Sequence, residues 1–594
     1  IAVHVNWLRE FAGTYEAFGG YGGLASEATN NYPGEAGAAG TVYYTDSNDG
    51  LDQREAIMRG DVLVGFKDGH TQLILDNDNR NHHLATVITD ETNGFFEFDE
   101  VHLHNHVTAI FHNTTATVIV HKFEGDRTGR VHVRAMQQLF VEVVEGVATE
   151  SIAPVSYRID PGAEVIFPTR NTFLGTRTFV EGTVTNIEDF RAAEGALVVF
   201  TNTSRTAMLE GAPLNKTYEW MTTRGNLTFG TMTMQRGCVL DLDNIPDPLT
   251  IKASTLMLKY QSLMLMNRGY IDTSHATIEG GAVLNLNYAG HPAMTGPGAG
   301  GNFTDQRGRV RGSGAGYGGQ GGGHFLRHGY YLDVPDYPGM RGQYIEGVGS
   351  GGLAYGSVVR PMELGSGGGS AGPGTTGGSG GGFLVWTSEL QLHIDGVVWL
   401  NGQDGQGDNA GGGSGGSFIA EVLNMTGHGT IDASGGRGVN LGGAGSGGRI
   451  AVHCHFAHKF GGHYRDAPGE GDTYGTAGSV YREETNRGPQ YADIKYDSDG
   501  APVVKPGFTY VKFDAEDHLV PWYSLLIEGN TTDFEFDELE LTRHANLELY
   551  HPEHLQEIVA VVHEFVGDST GRLHMRSDQQ LYVDYVEGEP GESV

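Results

Sequence analysis

The sequence predicts an all-β protein: an elongated parallel β-helix with ordered glycine-rich loops, with tandem β-sandwiches as the competing architecture. Three observations carry this. Apolar residues alternate at period two in short runs broken by polar turns every ~8–12 residues, and a helical period is almost absent. Glycine makes up 93 of 594 residues, and more than half of it lies between 296 and 450. Several sequence blocks also recur in the same order near the two ends of the chain.

The alternation is plain in Phe98-Asp-Glu-Val-His-Leu103, Ala109-Ile-Phe111, Thr231-Met-Thr-Met234, Val239-Leu-Asp-Leu242, Leu263-Met-Leu265 and Val283-Leu-Asn-Leu286. It continues in Leu390-Gln-Leu-His-Ile394, which runs into Gly396-Val-Val-Trp-Leu-Asn-Gly402, and in Phe536-Asp-Glu-Leu-Glu-Leu541. Short strands that return without long connections fit stacked rungs of ~20–25 residues, and such stacks grow one repeat at a time. Their ends are an edge liability that a further module would cap.

The recurring blocks define a period. Ile1-Ala-Val-His4 returns as Ile450-Ala-Val-His453, an offset of 449. Phe96-Glu-Phe-Asp-Glu100 returns as Phe534-Glu-Phe-Asp-Glu538, an offset of 438, and Gln137-Gln-Leu139 as Gln579-Gln-Leu581, an offset of 442. Gly37-Ala-Ala-Gly-Thr-Val-Tyr43 matches Gly475-Thr-Ala-Gly-Ser-Val-Tyr481, and Gly125-Asp-Arg-Thr-Gly-Arg130 matches Gly567-Asp-Ser-Thr-Gly-Arg572. Residues 1–146 and 450–588 thus read as two copies of one module. The expected organisation is 1–50 as the end of a glycine-rich module, 51–290 as β-helix rungs, 291–450 as a glycine-rich module with rungs, and 450–594 as the start of the next repeat. On this reading the chain is a window on a longer array whose N-terminus at Ile1 is processed or cropped.

Glycine- and serine-rich runs are ordinarily flexible linkers. Here they are interleaved with Tyr317, Phe325, Tyr330, Tyr331, Tyr344 and Tyr355, and they feed directly into apolar strands such as Phe383-Leu-Val-Trp386. We therefore expect ordered runs packed on the β-structure, using glycine for close backbone approach.

Composition excludes several functions. A net charge of −35, from 38 basic and 73 acidic residues, argues against nucleic acid and anionic membranes as partners. No apolar run reaches the ~18 residues of a membrane span. Cys238 and Cys454 are too few for a disulfide framework, so they form one bridge or stay as two buried thiols.

As an ordered string, Tyr355-Gly-Ser357, Pro361, Gly365-Ser-Gly-Gly-Gly369, Asp395-Gly-Val-Val-Trp-Leu-Asn-Gly402, Gly412-Gly-Ser-Gly-Gly-Ser417, Gly427-His-Gly-Thr-Ile-Asp-Ala-Ser-Gly-Gly436 and Gly447-Gly-Arg-Ile-Ala-Val452 resembles the module of a family. These are large secreted glycine-rich repeat proteins of bacteria, some protists and simple animals. The match covers about 296–482 and, as a remnant, 1–45. The resemblance implies a secreted β-helix-like surface or matrix protein, in a family with no agreed function; fibrous surface appendages are one setting.

Candidate chemistry is sparse. Seven Asn-x-Ser/Thr sequons, at Asn113, Asn202, Asn215, Asn226, Asn302, Asn424 and Asn530, would carry N-linked glycans in a secreted protein. Asp76, Asp78, Asp241, Asp243, Asp404 and Asp408 lie in acidic loops whose hard oxygen ligands suit Ca²⁺, although solvated turns favour the same residues. His102, His104 and His106 alternate like one face of a strand, but the second copy has Glu540, Thr542 and His544 there, so a solvent-facing role is expected. The formal nucleophile elbows around Ser379 and Ser414, and the Gly314-x-Gly-x-x-Gly319 fingerprint, lack the strand–turn–helix context those motifs need. The expectation is an extracellular structural protein without enzyme activity, a tandem-repeat β-rod that forms or decorates a fibre with like modules as partners. A carbohydrate-binding adhesin using Trp386 and Trp399, and a polysaccharide-active β-helix enzyme, are the alternatives.

Overall fold

A computed structural model of the chain describes residues 2–5, 42–46, 55–59, 62–67, 70–76, 85–88, 94–126, 128–144, 155–166, 170–173, 177–180, 183–185, 189–192, 196–201, 226–244, 248–304, 308–323, 332–334, 337–340, 351–485, 494–496, 502–504, 508–516, 524–526, 533–549, 558–575 and 579–587. Among these residues there is no helix, and most strand pairs are parallel. The all-β expectation holds. The chain divides into two units, one covering mainly residues 1–224 with 228–246 and 257–264, the other mainly residues 265–594.

In the first unit, successive strands alternate between two parallel ladders. One ladder holds Phe95–His104, Thr117–Gly125, Gln138–Val144, Glu164–Ile166 and Thr183–Thr185. The other holds Thr86–Ile88, Thr108–Phe111, Arg130–Val133, Ser156–Ile159, Arg177–Val180 and Leu197–Thr201. The period-two pattern has its expected effect: Phe96, Phe98, Val101 and Leu103 of one strand are buried, as are Val118, Val120 and Phe123 of the next.

The second unit also builds parallel ladders, with longer strands. Arg268–Ile278, Phe383–Ile394, Ser417–Gly427, Arg449–Phe460 and Ser479–Glu484 pair in parallel. Val283–Asn285, Val397–Trp399, Thr430–Asp432 and His463–Arg465 form a second parallel ladder. Cross-rung hydrogen bonds here join residues 33 apart, as between Ser434 and Asn401, whereas the turn bonds of the first unit join residues 21 or 22 apart. The extra length is glycine. One cluster of buried apolar side chains runs from Phe383 and Ile419 through Val511 and Phe513 to Leu539, Leu547 and Ile558.

The described glycine runs are ordered, while Phe325, Tyr330, Tyr331 and Tyr344 lie outside the described residues. In the run 411–416, backbone N–H groups donate in turn to Gly369, Gly443 and Gln403, and then to Ser366, Ser446 and Leu400, all at 2.8–3.0 Å. Direction therefore repeats every third residue, the periodicity of an extended three-residue-per-turn helix with no internal hydrogen bonds. The carbonyls of the same run accept from Gly378 and Gly381, from Ala315 and from Gly436. Six segments thus surround one. The run 443–448 behaves likewise, donating to Gly312 and Ala315, to Thr473 and Thr476, and to Gly436 and Ala433.

Packing this tight dictates the composition. A Cβ on Gly412, Gly413 or Gly415 would sit 1.9–2.0 Å from a carbonyl oxygen of a neighbouring run, and backbone cannot yield as a side chain can. Linker-like sequence forms a buried lattice because each N–H of the runs 411–416 and 443–448 finds a carbonyl of a neighbouring segment, which offsets the cost of burying the backbone.

Candidate functional site

The bundle is fixed to the strands by a buried polar cluster. Arg449 ends the run 443–448, opens the strand Arg449–Phe460, and is wholly buried. Its Nε donates to the Tyr355 carbonyl at 3.1 Å and its Nη1 to Ser479 Oγ at 3.0 Å, while the guanidinium lies over the Tyr317 ring, 5.7 Å from the centroid. The Tyr317 and Tyr355 rings are 4.7 Å apart. The Tyr317 hydroxyl meets Ser417 Oγ, which donates to the Glu363 carbonyl. The Tyr355 hydroxyl donates to the Leu364 carbonyl at 2.6 Å and lies 2.8 Å from Ser366 Oγ. Burial pushes the Tyr317 hydroxyl up to about 12 and that of Tyr355 well above its ordinary value. Both stay protonated as hydrogen-bond donors. The chemistry available is positioning: a fork-shaped cation and two phenols hold three glycine segments and a strand together.

Beside this cluster, His453 contacts Glu483 at 2.8 Å and the Val359 carbonyl at 2.9 Å, and burial is offset enough that Glu483 is held below the usual carboxylate range, mainly by the imidazole. Asp466 lies at the bundle's edge, with its carbonyl accepting from Gly478 at 2.8 Å. It is 3% exposed and, among the described residues, its Oδ2 has no hydrogen-bond partner. Burial, and then the nearby Asp514 charge, raise its pKa well above normal. Both effects favour the neutral acid over the carboxylate. The block Pro468-Gly-Glu470 that follows it recurs as Pro33-Gly-Glu35, and there the preceding equivalent residue is Asn31, an uncharged isostere.

Sequence reasoning did not single out Tyr317, Tyr355, Arg449 and Asp466 as a site. The signal was present in the Tyr-Gly-Ser and Gly-Gly-Arg blocks and in the Asn31/Asp466 exchange, but not the proximity: Arg449 and Tyr355 are 94 residues apart.

The structure disposes the expected site residues differently. Asp76 Oδ1 accepts from Asn105 Nδ2 at 2.7 Å, Asp404 Oδ1 from the Arg437 N–H at 2.7 Å, and Asp408 Oδ1 from Asn440 Nδ2 at 2.8 Å. Asp404 and Asp408 therefore each bond to the next rung, and Asp241 lies half-buried on the strand Val239–Asn244. Asp78, and the side chain of Asp243, lie outside the described residues. Among the described residues no three His, Cys, Asp or Glu side chains cluster as for a metal ion. Among the sequons, Asn302 is exposed, Asn424 is half-exposed, and Asn113 Oδ1 accepts from the Thr115 N–H at 3.0 Å. Asn226 begins a strand with its side chain outside the described residues, as are Asn202, Asn215 and Asn530 altogether.

Four further expectations are resolved. Cys238 and Cys454 are free, buried thiols, and burial pushes Cys238 up to about 12. His106 does not continue the strand face of His102 and His104: Asn105 and His106 both take left-handed φ, 57° and 65°, and turn the chain. Trp386 is wholly buried with its Nε1–H donating to Thr273 Oγ1, so it offers no sugar-stacking face. Ser414, in the formal nucleophile elbow, is sealed in the bundle with its Oγ accepting from the Ser366 N–H.

Compared with protein-family models, with curated proteins and with solved structures, the chain gives no match.

Proposed function

We propose that this chain is an extracellular structural protein, a tandem-repeat parallel β-helix that forms or decorates a surface fibre. One observation carries the reading. The described residues of 71–137 and 509–579 share the same side-chain-to-backbone brackets. Thr71 N–H and Oγ1 donate to Asp99 Oδ2 at 2.6 and 2.8 Å, and Thr509 does the same to Asp537 at 2.8 and 2.9 Å. The left-handed pair Asn105 and His106 is held by Asp126 and Thr128, and the left-handed pair Arg543 and His544 by Asp568 and Thr570. Strand register matches as well, with Leu73 opposite Val101 and Val511 opposite Leu539. A side-chain design reused in the same order, at offsets of 438 and 442 residues, supports a repeating unit, and on this reading the Arg449 cluster lies where one period meets the next. Alternation of strands between two parallel ladders supports the β-helix over sandwiches, whose sheets are antiparallel. The buried glycine lattice supports a mechanical role, because its order comes from backbone hydrogen bonds between neighbouring segments.

Immuno-gold electron microscopy on the source cells, with antibody raised against this chain, tests the reading. Label repeating along extracellular filaments at one axial period supports it. Label confined to the cell interior overturns it.

A further inference from the structure

In the second unit, three adjacent parallel strands change register at the same level, the two outer ones each carrying one residue more than the middle one. The register shifts between Ser388 and Leu392 on one strand, between Val422 and Asn424 on the next, and between Cys454 and Ala457 on the third. A bulge breaks the in–out alternation and turns consecutive residues outward. It does so here with apolar side chains: Leu390 is 44% exposed and Phe456 is 61% exposed, with half-exposed Leu423 between them. Neighbouring strands lie ~4.8 Å apart, so the three form one continuous apolar strip. Such a strip on an otherwise acidic surface needs a cover.

The sequon Asn424-Met-Thr426 lies in the middle of it. Leu423 and Asn424 are consecutive and both half-exposed, and Asn424 Nδ2 reaches the neighbouring strand to donate to the Leu390 carbonyl at 3.0 Å. We propose that Asn424 carries an N-linked glycan whose first sugar lies along this strip, its apolar C–H face on the Phe456 ring and against Leu390. The inference rests on the extracellular reading, because the donor is a lipid-linked oligosaccharide diphosphate of the secretory pathway. In the transfer Nδ2 bonds to the anomeric carbon, the bond from that carbon to the diphosphate oxygen breaks, and the electron pair leaves with the lipid diphosphate. Nδ2 loses one proton and keeps the other for the Leu390 carbonyl. The cover is therefore tethered at the middle of the strip, and the aromatic face and sugar ring are matched in size.

The test expresses the whole chain in a eukaryotic secretory host and measures occupancy at each sequon by glycopeptide mass spectrometry, then follows enzymatic release of the glycan from the native protein. The expected result is an occupied Asn424 whose glycan is released slowly, and a Phe456→Ser variant whose glycan is released roughly tenfold faster, equivalent to about 1.4 kcal/mol of packing. An Asn424→Gln variant that folds, judged by its circular dichroism, and lacks only that glycan assigns the site. Glycans at other sequons with Asn424 bare overturn the inference and leave the extracellular reading intact. Secretion with no glycan at any sequon overturns it too, whereas retention inside the host counts against the extracellular reading itself. Equal release rates from the two proteins refute the packing of sugar on Phe456.

Discussion

Residues 71–137 and 509–579 solve the same folding problem with different surfaces. What they keep is directed at backbone. The Thr–Asp bracket, the two left-handed turn residues and their Asp–Thr clamp persist, and Gln137 and Gln579 each donate from Nε2 to a carbonyl at 2.8 Å. Gly129 and Gly571 both lie where a Cβ would meet a leucine side chain, Leu103 and Leu541, at 2.5 and 2.6 Å. What they change is side chain against side chain. His102 sits between Glu100 at 3.0 Å and Glu124 at 3.2 Å, but its counterpart Glu540 pairs with Lys512 at 2.8 Å. Even the turn position varies within its rule: Asn105 and Arg543 differ, yet both reach the equivalent carboxylates of Asp76 and Asp514. The lesson is that backbone-directed groups define this fold, while surface ion pairs are interchangeable.

This contrast is breakable, starting with the glycine lattice, the extreme of backbone-directed packing. Gly415→Val places a Cβ 1.9 Å from the Ala433 carbonyl, and the lattice cannot move aside. It should cost more than ~4 kcal/mol, read as loss of the cooperative denaturant transition of the second unit. Gly301→Ala, where a Cβ meets nothing within 4 Å, should leave that transition within ~0.5 kcal/mol.

Next comes the clamp. Arg449→Ala leaves the Tyr355 carbonyl and Ser479 hydroxyl buried without their donor and should cost about 3 kcal/mol. Arg449→Lys should recover only part of that, because an ammonium cannot fork to both groups. Equal stability for the lysine and arginine proteins would remove the clamp from the account.

The Thr–Asp brackets should behave alike. Asp99→Ala and Asp537→Ala each delete the acceptor of two hydrogen bonds and should each cost about 2 kcal/mol, while His102→Gln, which removes the exchanged ion pair without adding a third carboxylate beside Glu100 and Glu124, should stay within ~0.5 kcal/mol. Denaturant titration of the three variants decides whether conserved and exchanged positions differ as claimed.

The smallest effect is tied to pH. Asp466 has a raised pKa in the fold, from burial first and Asp514 second. The folded state therefore binds its proton more tightly than the unfolded state does. That contribution to stability is complete below the unfolded value of 3.8 and is lost as pH rises through the higher folded value. Asp466→Asn, the residue at position 31 in the other copy, should stabilise the protein at neutral pH and flatten its stability profile above 3.8. A wild-type profile already flat there would show that Asp466 ionises freely.

Sequence made some of this legible and hid the rest for physical reasons. Strands were readable because burying Phe96, Phe98, Val101 and Leu103 imposes period two on the residues themselves. His106 was misplaced because its alternation with His102 and His104 is a property of the letters, whereas its φ of 65° is set by Asp126 and Thr128 on the next rung. The persistence of His544 in the second copy was the available clue. The bundle's order was inferable from its aromatics, but its topology was not: glycines carry no side chain to record which of six neighbours each N–H faces. Arg449 and Tyr355 were each visible within a motif, and only the fold brings them together.

The claim that matters most is that the glycine stretch is a hydrogen-bonded lattice and not a linker. Hydrogen exchange at the amides of Gly411, Gly412, Gly413, Gly415 and Gly416 measures this directly, since each donates to a different buried carbonyl. The account predicts protection equal to that of the flanking strands Phe383–Ile394 and Ser417–Gly427, lost in the same cooperative transition. Exchange of those five amides at the rate of an unstructured peptide, with the strands still protected, would contradict it.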